Sequence, residues 1–414
     1  MKRTRKTALA VSAALVVLVV AAVVFVRRDS SPSGNEASTS RPGASPAPGE
    51  AGWTGTWAAA PQNGGRAFER QTVRQVMRTS IGGDTVRIKL SNEFGSDPLT
   101  VSSVYLAAHA STSTVDPATN AHVMFGGGDA VTIEAGRTAV SDPVAFELPA
   151  GGDLTVSAYV PERIGSVTQH AFGNRNNYVA AGNQSTQASL SGAGTFDNYA
   201  FLAGIDVRNA EAEGAVVTLG ASITDGFDST FNENRRWPDQ LARRLVTANR
   251  TVGVLNAGIS GNMLTQDGAG QSALNRFDRD VLGQTGVKWV IFSDAAINDL
   301  GGDSPPSGDE LIAALQQLIR RSHDAGIKFF CATLTPYRGA GYWSDQGEAG
   351  RDAVNDFIKA DGSGCDAVID FDTATHDPAD PTRYDSRFDT GDHLHPNDAG
   401  MEALAAAVDL KLFV

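Results

Sequence analysis

The chain has 414 residues, 41% hydrophobic and 20% charged, a composition that folds into two or three globular domains and excludes wholesale disorder. Two cysteines exclude a disulfide-dense scaffold and a metal centre built on cysteine alone. The net charge is −13, and residues 51–414, with 27 basic and 44 acidic side chains, carry −17; such a body repels phosphate backbones, so no nucleic-acid partner is expected.

Lys2, Arg3, Arg5 and Lys6 precede an apolar stretch over 8–26, broken only by Ser12 and followed by Arg27 and Arg28. A helix of that length reaches about 28 Å, enough for the hydrocarbon core of a bilayer. Residues 1–28 therefore read as an uncleaved signal anchor or a cleaved signal peptide. The run ends in Val-Phe-Val-Arg-Arg with no small-residue cleavage site, which favours the anchor. The flanking charges put the N-terminus inside and the body outside. Membrane contact is expected only through this span, and the body is expected at the cell surface or in the extracellular space. Residues 29–50, rich in Ser, Pro, Gly and Ala, form a tether.

Over 51–208 the pattern has period two. Val86, Ile88 and Leu90 alternate with Arg87 and Lys89, and Leu154, Val156, Ala158 and Val160 with Thr155, Ser157 and Tyr159. Clusters such as Gly126-Gly127-Gly128-Asp129 punctuate these runs. Short strands with one buried face and frequent turns predict an antiparallel β-sandwich or jelly-roll-like domain.

Within 209–414 the pattern changes. Apolar runs at 215–219, 251–255, 287–292, 327–334 and 367–371 read as strands buried on both faces, and helical stretches lie near 237–248, 271–282, 308–325, 348–360 and 398–410. Alternation of strand and helix predicts an α/β fold with a parallel five-stranded sheet, its active site off the carboxyl ends of the strands. Cys331 and Cys365 lie at or near two neighbouring strands. A disulfide and two separate buried thiols both fit, because spacing alone does not fix geometry.

At those strand ends stand the candidate functional residues. The first strand runs into Gly220-Ala221-Ser222-Ile223-Thr224-Asp225. A serine in a strand-to-helix turn presents its hydroxyl at the sheet edge and its N–H near a helix N-terminus, as a nucleophile with an oxyanion intermediate requires; an N-capping serine would look the same. Thr224 excludes the G-x-S-x-G elbow. The second strand ends near Gly261, whose N–H can face an anion, and the third near Asn298, whose amide is another donor; each alone is ordinary loop chemistry. Asp392 and His395, three apart before the last helix, suit a carboxylate orienting an imidazole that takes the Ser222 proton. A solvated loop, or a metal site of Asp392, His393 and His395, are the alternatives, but nothing else in the sequence completes a metal shell. Gly302-Asp303-Ser304 reads as a loop, with Pro305 and Pro306 after it and no strand before it. His109, His122, His170, His323 and His376 have no partner among these motifs, and surface or structural roles are expected for them.

Taken in order, the blocks resemble the SGNH (GDSL-like) hydrolases: Ser222 matches the nucleophile block, Gly261 and Asn298 the oxyanion blocks, and Asp392-x-x-His395 the final block. Arg235-Arg236-Trp237-Pro238-Asp239 and Thr333-Leu334-Thr335-Pro336-Tyr337 resemble exported actinobacterial-type members, and the β-rich half, with Trp53-Thr54-Gly55-Thr56-Trp57, resembles the domain that precedes the hydrolase there. The resemblance implies a flavodoxin-like three-layer SGNH domain and ester hydrolysis through an acyl-enzyme, without metal or cofactor. Ser222, His395 and Asp392 would be catalytic, with Ser222, Gly261 and Asn298 forming the oxyanion hole. The substrate expected is a small-molecule or polysaccharide acyl ester, attacked by a monomeric carbohydrate esterase or short-chain esterase. Two departures matter. Ala221 stands where the family has Asp, which predicts a less well braced nucleophile turn, and Ala296 stands for a Gly, which puts a methyl beside Asn298. They motivate the alternative of a weakened or silent hydrolase fold that binds glycan.

Overall fold

The computed structural model describes residues 52–301 and 305–414. The span 8–26, the tether 29–50 and Gly302-Asp303-Ser304 lie outside the described residues. Among the described residues no helix is long and apolar enough to cross a membrane.

The period-two half builds two antiparallel sheets. In one, Leu202–Arg208 pairs with Trp53–Ala58 on one side and Gly83–Ser91 on the other, and Thr138–Val140 and Val144–Leu148 both pair with Gly83–Ser91. In the other, Asn177–Ala181, Gln71–Arg78, Asp153–Val160 and Leu99–Ser111 lie side by side. Alternation puts Val86, Ile88 and Leu90 of the first sheet into one core with Val73, Met77, Leu106, Leu154 and Val156 of the second. Each such side chain removed from water contributes about 1.5–3 kcal/mol, which is why this pattern fixes the register. The second sheet departs from simple alternation, since Thr155 and Ser157 are buried as well. Arg74 lies over that outer face, its Nε donating to Ser157 Oγ at 2.8 Å and its other nitrogens to the carbonyls of Ser113, Gln187 and Ala188.

The other half contains the predicted parallel sheet. In spatial order its strands are Val252–Gly258, Gly214–Gly220, Val287–Phe292, Lys328–Ala332 and Ala367–Ile369, that is, second, first, third, fourth, fifth. Chain order reverses between the first and third strands, and in open α/β sheets that crevice is where ligands bind. One group of helices packs Trp237–Thr247 against Asp398–Ala407, and another packs Gly308–Asp324 against Asp345–Lys359. Ser307 and Glu310 start Gly308–Asp324 with a reciprocal capping box. The helix expected over 271–282 is divided into Ala273–Phe277 and a π-helical turn, Asp278–Leu282. Cys331 and Cys365 are joined, with Cα atoms 5.8 Å apart, so the pair of free thiols is ruled out.

The two halves share polar contacts. Gly55 N–H donates to Thr285 O at 2.9 Å, and Val254 N–H to Ser80 Oγ at 2.9 Å. The buried Asp206 carboxylate holds Arg87, Lys89 and the Thr285 hydroxyl. The described residues form one compact unit.

Candidate active site

The first strand ends at Gly220, and Ser222 opens a one-turn helix, Ser222–Asp225. The Asp294 carboxylate, just past the third strand, braces this turn: Oδ1 accepts from Ala221 N–H at 3.0 Å and the Thr224 hydroxyl at 2.6 Å, and Oδ2 from Ile223 N–H at 2.8 Å. Only glycine fits at 220, because a Cβ there would stand 2.2 Å from Asp294 Oδ1. The looser turn expected from Ala221 is therefore not what the structure contains; a carboxylate from another strand ties the turn. Sequence reasoning missed Asp294, although its place at a strand end beside the switch point was a signal. Below the turn lies Arg276, fully buried, bonding Gly220 O, Ala257 O and Asn262 Oδ1 at 2.7–3.0 Å and pairing with Asp280. Arg276, by contrast, carried no sequence signal beyond its helical position.

The structure brings Ser222, His395 and Asp392 together. Ser222 Oγ is 2.8 Å from His395 Nε2, and His395 Nδ1 is 2.6 Å from Asp392 Oδ2. Because a carboxylate faces Nδ1, the proton sits on that nitrogen and Nε2 is left to accept the serine hydroxyl. Burial raises the Asp392 pKa, but the N–H and imidazole of His395 and the N–H of Leu394 outweigh it and hold the carboxyl at about 2. Asp392 is thus ionised at neutral pH. Thr390 Oγ sits 3.1 Å from Asp392 Oδ1 and 3.1 Å from His395 O, pinning the loop. His393 is not part of this group, since its Nδ1 bonds Asp389 Oδ2 at 2.6 Å. The alternative metal set of Asp392, His393 and His395 is therefore not assembled. Among the described residues, Asp228, Asp392 and His395 bring ligand-type atoms within 4.8 Å of one another.

Gly261 has φ +77°, a conformation that favours glycine. Among the described residues, neither the Ser222 nor the Gly261 N–H has an acceptor. Asn298 Nδ2 donates to Asn262 O at 2.8 Å, which leaves it a second hydrogen, and Asn298 Oδ1 accepts from the Tyr342 hydroxyl at 3.2 Å. Burial pushes the Tyr342 hydroxyl pKa well up, so it stays a donor. The Ala296 methyl is buried in the core, and the amide beside it keeps both bonds. Asp299 holds the adjoining loop through Leu264 N–H, Thr265 N–H and the Thr265 hydroxyl.

The β-rich half reaches this site. His170, buried in that half, bonds Asp225 Oδ1 through Nε2 at 2.9 Å, and Phe172 packs on Phe227, whose ring lies 4.6 Å from that of His395. Phe227 is partly exposed, so an apolar surface flanks the imidazole.

Residues 218–403 match the model of the GDSL-like Lipase/Acylhydrolase family. No curated protein matches the chain. Similar solved structures include a putative lipolytic protein of the G-D-S-L family from Desulfitobacterium hafniense (20% identity, 47% of this chain and 97% of that one, TM-score 0.38). A lipase/acylhydrolase from Enterococcus faecalis matches at 21% identity over 48% of this chain and 95% of that one, TM-score 0.38. A variant of an acetyl xylan esterase from Geobacillus stearothermophilus matches at 23% over 47% and 93%, TM-score 0.37. With its strand order and its serine at the end of the first strand, the α/β half of this chain contains, at residues 218–403, a domain of the GDSL-like lipase/acylhydrolase family.

Proposed function

We propose that the protein is a serine esterase that hydrolyses acyl esters through an acyl-enzyme. The observation that carries this reading is the relay from Ser222 Oγ to His395 Nε2 at 2.8 Å and from His395 Nδ1 to Asp392 at 2.6 Å. Ser222 Oγ attacks the ester carbonyl carbon while His395 takes its proton. The tetrahedral oxyanion is held by the N–H groups of Ser222 and Gly261 and by the free hydrogen of Asn298 Nδ2. Collapse breaks the bond to the alcohol, which leaves with the proton from His395. Water then attacks the acyl carbon, giving a proton to His395; this proton returns to Ser222 Oγ as the carboxylic acid departs. The balance needs ester and water only. Asp392 keeps the imidazole oriented and stabilises it when protonated.

We assign substrates from acetylated polysaccharide and short-chain esters, because the tilted Phe172–Phe227 ring pair beside His395 offers an apolar surface to a sugar ring or a short acyl chain. We place the protein outside the cell, anchored by or cleaved after the 8–26 span, consistent with the Cys331–Cys365 disulfide. It acts as a monomer in this reading. The expected outcome is turnover of p-nitrophenyl acetate by the wild type and at least a ~10³-fold loss of kcat in Ser222→Ala and in His395→Ala. Undiminished turnover in both would remove the assignment, and a wild type inert to an ester panel that includes acetylated xylan would favour the silent glycan-binding fold.

A further inference from the structure

His170 belongs to the β-rich half and lies at the end of the short strand Gln169–His170, with the chain continuing through Phe172 and Gly173 alongside the nucleophile turn. Its side chain is 7% exposed and that of its partner Asp225 is 3% exposed. Both ring nitrogens face acceptors: Nδ1 is 3.0 Å from Ala60 O, and Nε2 is 2.9 Å from Asp225 Oδ1. A carbonyl and a carboxylate both offer acceptor oxygens, so each ring nitrogen faces an acceptor.

Asp225 is the last residue of the helix that Ser222 opens. Its other oxygen, Oδ2, accepts from the N–H of Ser260 at 2.9 Å and from the Ser260 hydroxyl at 2.8 Å. Ser260 immediately precedes Gly261. One carboxylate therefore ties the nucleophile's own helix to the loop that presents the Gly261 N–H, and His170 fixes that carboxylate from the neighbouring half. The approach is tight, because a Cβ at Gly258 would stand 2.4 Å from Asp225 N. The same β-rich segment also grips the chain after Asp225. Arg236 donates to Gly173 O and Asp225 O, and the Asn174 amide donates to Ser229 O and Oγ at 3.1 and 2.9 Å. A further hold comes from Gln62, whose amide bridges Ala171 N–H and Ala269 O.

We propose that His170 is a positioning residue of the hydrolase site: through Asp225 and Ser260 it sets the Gly261 N–H relative to Ser222, so that the β-rich half is part of the catalytic apparatus. This rests on the reading of Ser222 as nucleophile. The donor arrangement predicts opposite behaviour from two substitutions of similar size. His170→Gln can place an amide N–H where Nε2 was and keep the bond to Asp225. His170→Asn can replace only Nδ1, keeping the bond to Ala60 O and losing Asp225. A shift of about 1 Å in an oxyanion donor costs up to ~10²-fold in rate and acts on kcat, because the donor works mainly in the transition state.

The test is kinetics on p-nitrophenyl acetate together with amide hydrogen exchange at Ser260, in the whole protein. His170→Asn should lose about tenfold or more in kcat with KM within about twofold, and its Ser260 amide should exchange about tenfold faster. His170→Gln should retain both quantities to within about threefold. Unchanged Ser260 exchange in His170→Asn would overturn the proposal whatever the activity. So would equal kcat losses in the two variants that merely follow a fall in thermal midpoint. An inactive wild type whose Ser260 amide still responds as described would instead discard the esterase reading and leave the positioning chain standing.

Discussion

At the residue scale, the Ser222–His395–Asp392 relay depends on an ionised carboxylate that already accepts three N–H bonds, two from the backbone and one from the ring. The loop Gly391–Pro396 is folded so that Asp392 Oδ1 meets the N–H groups of Leu394 and His395 at 2.9 Å each, and Oδ2 is left for the imidazole. These bonds depress the Asp392 pKa from 3.8 to about 2. A depressed carboxyl contributes stability that is fully present above its unfolded pKa and disappears as pH falls through the folded one. The window is therefore between about pH 4 and pH 2, and the partial exposure of Asp392 keeps the effect modest. Asp392→Asn should flatten the dependence of the thermal midpoint on pH in that interval. It should also lower kcat at neutral pH, because an amide no longer stabilises a protonated imidazole. Parallel midpoint curves for wild type and variant would contradict this account of the carboxylate.

At the element scale, legibility followed burial and sequence distance. The parallel strands showed as apolar runs because both faces are largely covered, except in the fifth, which spans only Ala367–Ile369 and leaves Val368 exposed; the ends of the first three located Ser222, Gly261 and Asn298 as candidates. Asp294 stood in view in Asp294-Ala295-Ala296-Ile297-Asn298 but had no role in the motif, since its partners Ala221 and Ile223 lie more than seventy residues earlier. His170 was illegible for the same reason. A single histidine at the end of a two-residue strand has no period, and its partner is 55 residues away on an element of different architecture. Chain pattern reports local burial; it is silent on which distant polar group a buried polar group will meet. The cysteine pair is an intermediate case, because neighbouring strands made a bond possible and only geometry decided it. The bond closes a loop over a sequence separation of 34, which in the chain-entropy picture stabilises the fold by about 3–4 kcal/mol. Replacing both cysteines by alanine should lower the unfolding free energy by that order in a denaturant titration. A change below about 1 kcal/mol would mean the strands alone fix this corner.

At the scale of the whole molecule, two architectures recognisable as separate in sequence are joined through polar contacts with buried groups on both sides. Asp206 gathers Arg87, Lys89 and Thr285; Ser80 accepts from Val254; His170 meets Asp225. Separating the halves would leave buried donors and acceptors unpaired, at about 1–3 kcal/mol each. The described residues should therefore unfold in one calorimetric transition, and two well-separated transitions would show that each half stands alone. In the proposed reading the site takes its rear support from His170 and one wall from Phe172, both of the β-rich half.

The central claim is that Ser222 is an activated nucleophile, and reaction with a fluorophosphonate probe followed by peptide mass spectrometry tests it most directly. The account predicts a single covalent adduct on Ser222 in the wild type, and labelling slowed at least ~10²-fold in His395→Ala at equal folded content. An adduct on another residue, no adduct, or a labelling rate indifferent to His395 would contradict it.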